Sequence, residues 1–296
     1  MAELPLPPTE IVGTARGDVA VARAGSGPPV LVVHGTPGGV DCAVTMSRFI
    51  VAAGFEAIAP ARPGYPGTPL DSGRSIDEQA DLHDAVLDAL GIDRAAVLAW
   101  SGGGPSSYRL AVRHPDRVAA LVAFAAVSGH YTSPHLDAAS RFALNTAPGN
   151  AMLRLLARRA PKSAISGTLA AEGELSKQEL KRQAAAVAAD PEQREFVLVM
   201  AAIAGDGRRR RSGIDNDRAC FGSIDSLELE RVAAPTLLIH GDADTDVSPM
   251  HSKRAAELIP NAEHLEITYG THFALFAHPE AAAAQARAAQ LLRGNT

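Results

Sequence analysis

Short apolar runs alternate with helix-like segments along most of this chain, and this alternation constrains the fold more than any other feature. Residues 29–33 (PVLVV) form a compact, β-branched run that predicts a buried strand. Strands and helices that alternate at this spacing are joined by crossover connections, so we predict an α/β protein with a mostly parallel sheet. The predicted strands are 29–33, 55–59, 94–98, 118–126, 235–239 and 263–267, and the predicted helices are 43–53, 75–90, 104–114, 250–258 and 279–292.

The alternation is interrupted once, by a segment of different composition. From about residue 130 to residue 224 the chain is rich in Ala, Leu and Arg, and it has helical stretches but no convincing buried strand. We therefore predict an α/β core in two parts, residues 1–129 and residues 225–296, separated by a helical insertion at residues 130–224.

Composition favours a soluble globular protein. The chain has 296 residues, 46% of them apolar, and a net charge of −5, so we expect neither nucleic acid nor a membrane as a partner. The basic run at 208–211 predicts a solvated loop. Cys42 and Cys220 have no metal-ligand spacing, so we expect no metal site and no disulfide framework. Residues 1–10 lack a signal pattern, which makes the cytoplasm the expected location.

The most specific motif follows the predicted strand at 94–98. Ser101 lies between the small residues Ala99 and Gly103, after an apolar run and before a predicted helix. This is the pattern of a nucleophile elbow, a tight strand-to-helix turn that lifts the serine hydroxyl clear of the sheet. Bulky side chains two residues to either side of the serine would collide in such a turn. The motif therefore predicts that Ser101 is a catalytic nucleophile.

Two further strand ends carry the residues that such a serine needs. Asp244 follows the predicted strand at 235–239, and His272 follows the one at 263–267. Functional residues of a parallel sheet gather at the carboxyl ends of its strands. A serine hydroxyl is a poor nucleophile at neutral pH, so it requires a base, and the base requires a partner that fixes its tautomer. We predict that His272 takes the proton of Ser101 and that Asp244 stabilises the imidazolium.

The acid of this triad is assigned by spacing. Asp242, Asp244 and Asp246 all follow the same predicted strand. The pattern Gly-acid-x-Asp-x-x-Val at residues 241–247 favours Asp244, and Asp246 is the next choice. The end of the predicted strand at 118–126 carries no carboxylate, which supports the later position.

A tetrahedral intermediate also requires preorganised backbone N–H donors for its oxyanion. One donor is expected from Gly102, the residue after the nucleophile. The other is expected from the loop at 34–39 (HGTPGG), whose glycines let the backbone approach a substrate closely. We predict the N–H of Thr36 as this second donor, with Gly35 as the alternative, and we expect His34 to shape the loop.

Taken together, these motifs resemble the α/β-hydrolase superfamily. The resemblance covers about residues 25–128 and 225–293, and the chain order Ser, Asp, His fits it. Ala99, where the superfamily usually has glycine, is a departure. The resemblance implies an eight-stranded, mostly parallel sheet flanked by helices, with residues 130–224 as a cap over the active site. The motifs that carry it are His34-Gly35-x-Pro37-Gly38, Arg62-Pro63-Gly64-Tyr65-x-Gly67, Ser101-Gly102-Gly103-Gly104-Pro105, Gly241-x-x-Asp244-x-x-Val247 and Gly270-x-His272-Phe273.

We predict a serine hydrolase that cleaves small-molecule carboxylic esters through an acyl-enzyme intermediate, with no cofactor and no metal. The fold alone does not fix this reaction. Trp100 and Phe273, beside the predicted nucleophile and base, either line the substrate pocket or pack in the core. The serine nucleophile argues against haloalkane dehalogenases and epoxide hydrolases, which resemble this layout but use aspartate.

Three alternatives stay open. The loop at 34–39 resembles that of proline iminopeptidases, whose cap carboxylates hold the amine of the substrate, and the candidates here are Glu172, Glu174 and Glu179. Carbon–carbon bond hydrolases and lyases of this superfamily use a similar constellation. The third alternative is a non-catalytic, ligand-binding relative. The complete triad speaks against it, because a binding protein has no need of all three residues.

Overall fold

An eight-stranded sheet lies at the centre of the computed structural model, which describes residues 8–133 and 146–295. The strands are β1 (Thr9–Thr14), β2 (Gly17–Gly25), β3 (Pro29–Val33), β4 (Glu56–Pro60), β5 (Ala95–Trp100), β6 (Val118–Phe124), β7 (Thr236–Gly241) and β8 (Ala262–Ile267). They are arranged in the order β1-β2-β4-β3-β5-β6-β7-β8. β2 is antiparallel to β1 and β4, and the other neighbouring pairs are parallel. The predicted α/β fold with a mostly parallel sheet is confirmed.

Helices cover both faces of this sheet. The helices in the described part of the chain are α1 (Val40–Ala52), α2 (Ile76–Ala89), α3 (Gly104–Arg113), α4 (Ala147–Arg159), α5 (Pro161–Ala171), α6 (Lys177–Ala189), α7 (Pro191–Ala204), α8 (Arg211–Phe221), α9 (Met250–Leu258) and α10 (Ala281–Arg293). Successive side chains of a strand point to opposite faces. Accordingly, Val30 and Val32 of β3 pack in the cluster that includes α1 and α10, whereas Leu31 and Val33 pack in the cluster that includes α2 and α3.

Local sequence signals fix where some helices begin. Ser75 precedes α2, and its hydroxyl accepts the N–H of Glu78 while the Glu78 carboxylate accepts the N–H of Ser75. This reciprocal capping box satisfies two of the N–H groups that a helix start leaves unpaired. Pro105 stands in the first turn of α3, where its missing N–H costs nothing.

The pattern analysis did not predict the first two strands. β1 lies at the sheet edge, most of its residues are exposed, and it has no apolar run. β2 is built from small residues around Val19 and Val21, which give a weak strand signal. Its pairing with β1 and β4 stabilises it instead.

The segment between β6 and β7 is helical wherever the structure describes it, from α4 to α8. Gly173, between α5 and α6, forms an isolated bridge with Asp244, so the segment touches the loop after β7. The division into domains at residues 130 and 224 stays a prediction. The prediction of a solvated loop at 208–211 is wrong for Arg210, which is buried and donates to Asp41 and to the Gly38 carbonyl. Within the described residues, the helices are too short or too polar to span a membrane.

Candidate active site

Ser101 lies at the turn from β5 into the helical segment that becomes α3. Its φ is +54°, a left-handed value that residues other than glycine rarely adopt. The tightness of the turn explains the small residues around it, because an added Cβ on Gly103 would lie 2.5 Å from the carbonyl oxygen of Val33. The fold therefore places Ser101 at the carboxyl end of the sheet, in the strained geometry of an elbow.

Two loops at the same edge of the sheet bring Asp244 and His272 together. Gly241 ends β7 and Gly270 follows β8, and their backbones touch, since an added Cβ on Gly241 would lie 2.1 Å from the Gly270 carbonyl oxygen. His272 Nδ1 lies 2.7 Å from Asp244 Oδ2. This hydrogen bond orients the imidazole and leaves Nε2 as the atom that could accept a proton.

The Asp244 carboxylate is held by four donors. Oδ1 accepts the N–H groups of Asp246 and Val247, at 2.9 and 3.0 Å. Oδ2 lies 3.1 Å from His240 Nε2 in addition to His272. Burial raises the pKa of Asp244, but His272 and His240 outweigh it and hold this pKa well below its usual value. Asp244 is therefore an ionised and fixed partner for His272.

His240 is a second histidine on the same carboxylate. Its Nε2 also lies 2.9 Å from the Val247 carbonyl oxygen, and its Nδ1 lies 2.6 Å from Ser252 Oγ. Both oxygens at Nε2 belong to groups that can only accept, so Nε2 carries a hydrogen. The sequence analysis missed His240, because it lies inside a strand where nothing in the spacing marks it.

Two further acidic residues lie next to the candidate base. The Asp246 carboxylate approaches the ring, with Oδ2 3.4 Å from His272 Nε2. Glu172 is held beside His272 through the backbone, because its carbonyl accepts the backbone N–H of His272 at 2.9 Å. Burial lowers the pKa of His272, but the charges of Asp244, Asp246 and Glu172 more than compensate and raise it to about 10. Burial and the charge of Asp246 raise the pKa of the Glu172 carboxyl to about 8.

The structure does not join nucleophile and base directly. Among the described residues, Ser101 Oγ has no hydrogen bond to His272, whose Nε2 faces Asp246. Trp100 lies between their loops, and its Nε1 donates to the His272 carbonyl at 3.3 Å. Catalytic hydrogen bonds often tighten only when the substrate binds. Proton transfer from Ser101 therefore requires a closer approach of the two side chains.

The predicted oxyanion residues lie against the elbow. An added Cβ on Gly35 would lie 3.0 Å from Ser101 Cβ, and one on Gly102 would lie 2.3 Å from Thr36 Oγ1. His34 is buried, and its Nδ1 contacts the Gly35 carbonyl at 2.8 Å. Burial and the nearby Arg62 hold the pKa of His34 well below its usual value. His34 is therefore a neutral part of the loop scaffold.

Trp100 and Phe273 are buried in an aromatic cluster, each with 5% of its surface exposed. Their ring centroids are 5.5 Å apart in an edge arrangement, and both rings contact Phe196 of α7. Phe276 completes the cluster. The observed contacts are those of core packing, and a role in lining the substrate pocket stays a prediction.

The three glutamates that were named as candidates for holding a substrate amine lie in different surroundings. Glu172 interacts electrostatically with the base and with both aspartates of the site. Glu174 is exposed, and its N–H binds the Ala243 carbonyl. The carboxylate of Glu179 binds Arg182. Only Glu172, of these three, is placed next to His272.

Comparison with known proteins fits this geometry. A family model described as alpha/beta hydrolase fold matches residues 28–279. The chain belongs to the α/β-hydrolase family. Among solved structures, this α/β-hydrolase is similar to an alpha/beta hydrolase fold protein from Nakamurella multipartita. The two are 49% identical, with a TM-score of 0.95 over 98% of this chain and 100% of the other.

Curated relatives of this α/β-hydrolase match mostly in part. An uncharacterized hydrolase of Bacillus subtilis, YcgS, is 33% identical over 119 residues, which is 40% of this chain and 41% of the relative. A 2-hydroxymuconate semialdehyde hydrolase from Pseudomonas putida is 28% identical over 243 residues, which is 81% of this chain and 78% of the relative. The match spans about two fifths of the length of the first of these relatives.

Proposed function

We propose that this α/β-hydrolase is a serine hydrolase that cleaves small carboxylic esters. One observation carries the proposal: the 2.7 Å hydrogen bond between His272 and Asp244 lies at the same sheet edge as Ser101, whose φ is +54°. A serine held in strained geometry at the sheet edge that carries an oriented imidazole can carry out nucleophilic acyl transfer once the two side chains approach to hydrogen-bonding distance.

The reaction follows from the roles of these atoms. Ser101 Oγ attacks the ester carbonyl carbon as His272 Nε2 takes the hydroxyl proton. The resulting oxyanion is stabilised by the N–H groups of Gly102 and of Thr36 or Gly35. Collapse of the tetrahedral intermediate expels the alcohol, which receives the proton from His272, and leaves an acyl-Ser101. Water activated by His272 then releases the acid.

A burst experiment tests this proposal. Mixing the protein with p-nitrophenyl acetate releases p-nitrophenol in a burst equal to the protein concentration if acylation outpaces deacylation. Mass spectrometry of the quenched protein then shows one acetyl group on the peptide that carries Ser101. The search for the adduct is repeated at low pH, where deacylation is slower. Turnover of the ester with no adduct on this peptide at either pH contradicts the acyl-enzyme.

A carbon–carbon bond hydrolase is the first alternative. It is supported by the similarity to the 2-hydroxymuconate semialdehyde hydrolase, which covers most of both chains. The same triad serves this chemistry if the leaving group is a stabilised carbanion. A kcat/KM for 2-hydroxymuconate semialdehyde well above that for p-nitrophenyl esters favours this alternative.

An aminopeptidase-like activity is the second alternative, and the position of Glu172 favours it. A substrate ammonium group near Glu172 and Asp246 would hold both carboxylates ionised, which their mutual repulsion opposes. Hydrolysis of prolyl p-nitroanilide that is lost in Glu172→Gln, with ester turnover retained, would select this alternative. Glu174→Gln is the matched control because Glu174 is exposed.

A further inference from the structure

A fully buried ion pair joins the loop after β4 to helix α8. Arg62 and Asp217 form a bidentate salt bridge, with Nη1 2.8 Å from Oδ1 and Nη2 2.7 Å from Oδ2, and each side chain is 1% exposed. Burying two charges is costly, and such a pair is often no more stabilising than apolar residues of the same volume. Stability alone therefore does not explain this pair, and its other hydrogen bonds indicate a role in the site.

Arg62 directs most of its remaining donors at the loop that precedes α1, and Nη1 also donates to Gln79 Oε1 of α2 at 3.3 Å. Its Nε donates to the His34 carbonyl at 3.0 Å, and its Nη2 donates to the Gly35 carbonyl at 3.2 Å. Its backbone N–H donates to His34 Nε2 at 2.9 Å. One guanidinium thus holds two consecutive peptide carbonyls of the loop in fixed directions.

Asp217 holds the same loop through a side chain. Thr36 Oγ1 donates to Asp217 Oδ2 at 2.5 Å and accepts from Arg62 Nη2 at 2.9 Å. Tyr65 donates its hydroxyl to the same carboxylate oxygen at 2.6 Å. The Thr36 hydroxyl also rests over Gly102, the residue after the elbow serine. The ion pair is therefore one hydrogen bond away from Thr36, whose hydroxyl in turn lies against Gly102.

The directions of the carbonyls determine where the N–H groups point. The peptide bonds 34–35 and 35–36 are trans, and in a trans peptide the C=O and the following N–H point in opposite directions. Both carbonyls accept from Arg62, and the Gly35 carbonyl is also 2.8 Å from His34 Nδ1. The N–H groups of Gly35 and Thr36 therefore point away from these donors. Gly35 contacts Ser101. The ion pair thus fixes these two N–H groups in the loop that borders the nucleophile.

We propose that Arg62 and Asp217 are positioning residues of the oxyanion hole, an inference that rests on the proposed serine hydrolase function. They touch no reacting atom and act through the peptide planes of residues 34–36. Because Asp217 belongs to α8, within the predicted insertion, the hole is fully formed only while α8 is docked on the core.

Thr36→Val and Thr36→Ser test the link with the least disturbance. Valine keeps the shape of the side chain but removes the hydroxyl that binds Asp217, whereas serine keeps the hydroxyl. Asp217→Asn tests the charge itself. Glu195→Gln is the matched control, because it breaks another ion pair between the insertion and the core, with Arg48 of α1, whose contacts do not reach the loop.

The measurements are kcat and KM for p-nitrophenyl acetate and the inhibition constant of an aryl trifluoromethyl ketone, which forms a tetrahedral oxyanion on the serine. Loss of one oxyanion donor lowers turnover about 10²–10³-fold, and misplacement of a donor is expected to cost about tenfold or more. We expect Thr36→Val and Asp217→Asn to lower kcat and to weaken the inhibitor by the same factor, with KM little changed. Glu195→Gln stays near wild type, and Thr36→Ser, which keeps the hydroxyl, loses clearly less than Thr36→Val.

The outcomes separate this inference from the proposed function. Equal kcat values and equal inhibition constants for Thr36→Val, Thr36→Ser and the wild type overturn the positioning role while the serine hydrolase stands. If Asp217→Asn does not fold, the two Thr36 variants decide the question. A wild-type protein that neither turns over the ester nor binds the ketone overturns the proposed function, and the positioning role falls with it.

Discussion

His240 Nε2 and His272 Nδ1 share one oxygen, Oδ2 of Asp244, at 3.1 and 2.7 Å. The candidate triad is therefore part of a chain of four side chains that runs from Ser252 through His240 and Asp244 to His272. The N–H of His240 partly neutralises the charge of the Asp244 carboxylate. It therefore weakens the electrostatic interaction by which Asp244 raises the pKa of His272. His240 therefore influences the pKa of His272 through the carboxylate that the two histidines share.

Removing the His240 donor should change both rate and pH dependence. His240→Leu leaves the full charge of Asp244 to His272, so the pKa of His272 rises and the acidic limb of kcat/KM moves to higher pH. Asp244 also loses one of the donors that hold its carboxylate in place. A hydrogen bond to a charged group contributes about 1.5–3 kcal/mol, so this loss of positioning is expected to lower kcat about tenfold or more. His240→Gln, whose amide restores a donor near Nε2, should recover most of both effects. An acidic limb that does not move in His240→Leu contradicts this account.

Removing the carboxylate at Nε2 should act in the opposite direction. Asp246 lies 3.4 Å from His272 Nε2 and helps to raise its pKa to about 10. His272 must be neutral to accept the Ser101 proton, so activity rises as pH increases through this pKa. In Asp246→Asn the acidic limb of kcat/KM should shift to lower pH. Asp242→Asn, which alters an exposed carboxylate of the same loop, should leave the profile in place.

The close approach of Gly241 and Gly270 predicts a change in stability. In Gly241→Ala the added Cβ meets the Gly270 carbonyl at 2.1 Å, so the two loops must separate. Such overpacking costs about 1–3 kcal/mol, to be measured by urea unfolding. The control is Gly167→Ala in α5, where nothing lies within 4 Å of the added Cβ. Alanine should stabilise this helix by about 1 kcal/mol. Equal stabilities of the two variants would contradict the packing account.

The sequence predicted the parts of the fold that a strong local pattern marks. The apolar run at β3 and the helix at α9 lie where periodicity placed them. β1 and β2 were missed because small and exposed residues carry little pattern and because their pairing is a tertiary effect. The buried Arg210 was missed for a related reason, since its partner Asp41 is 169 positions away in the chain.

The contact between Asp244 and His272 could be predicted from the chain order, whereas the catalytic role of Ser101 stays a prediction. Ser101, Asp244 and His272 follow three strands whose carboxyl ends meet at one edge. Neither the second histidine on Asp244 nor the Asp217 contact with Thr36 could be predicted. His240 is one of ten histidines, and Asp217 is 181 positions from Thr36, so only the folded chain shows that these contacts exist.

Labelling with a fluorophosphonate tests the central claim, an activated Ser101, most directly. The wild type is compared with Ser101→Ala and with Ser106→Ala, another buried serine, on α3. We expect stoichiometric labelling of the wild type and of Ser106→Ala, at a rate that increases with pH, and none of Ser101→Ala. Labelling that persists in Ser101→Ala, or that is absent from the folded wild type across the pH range, would contradict the account.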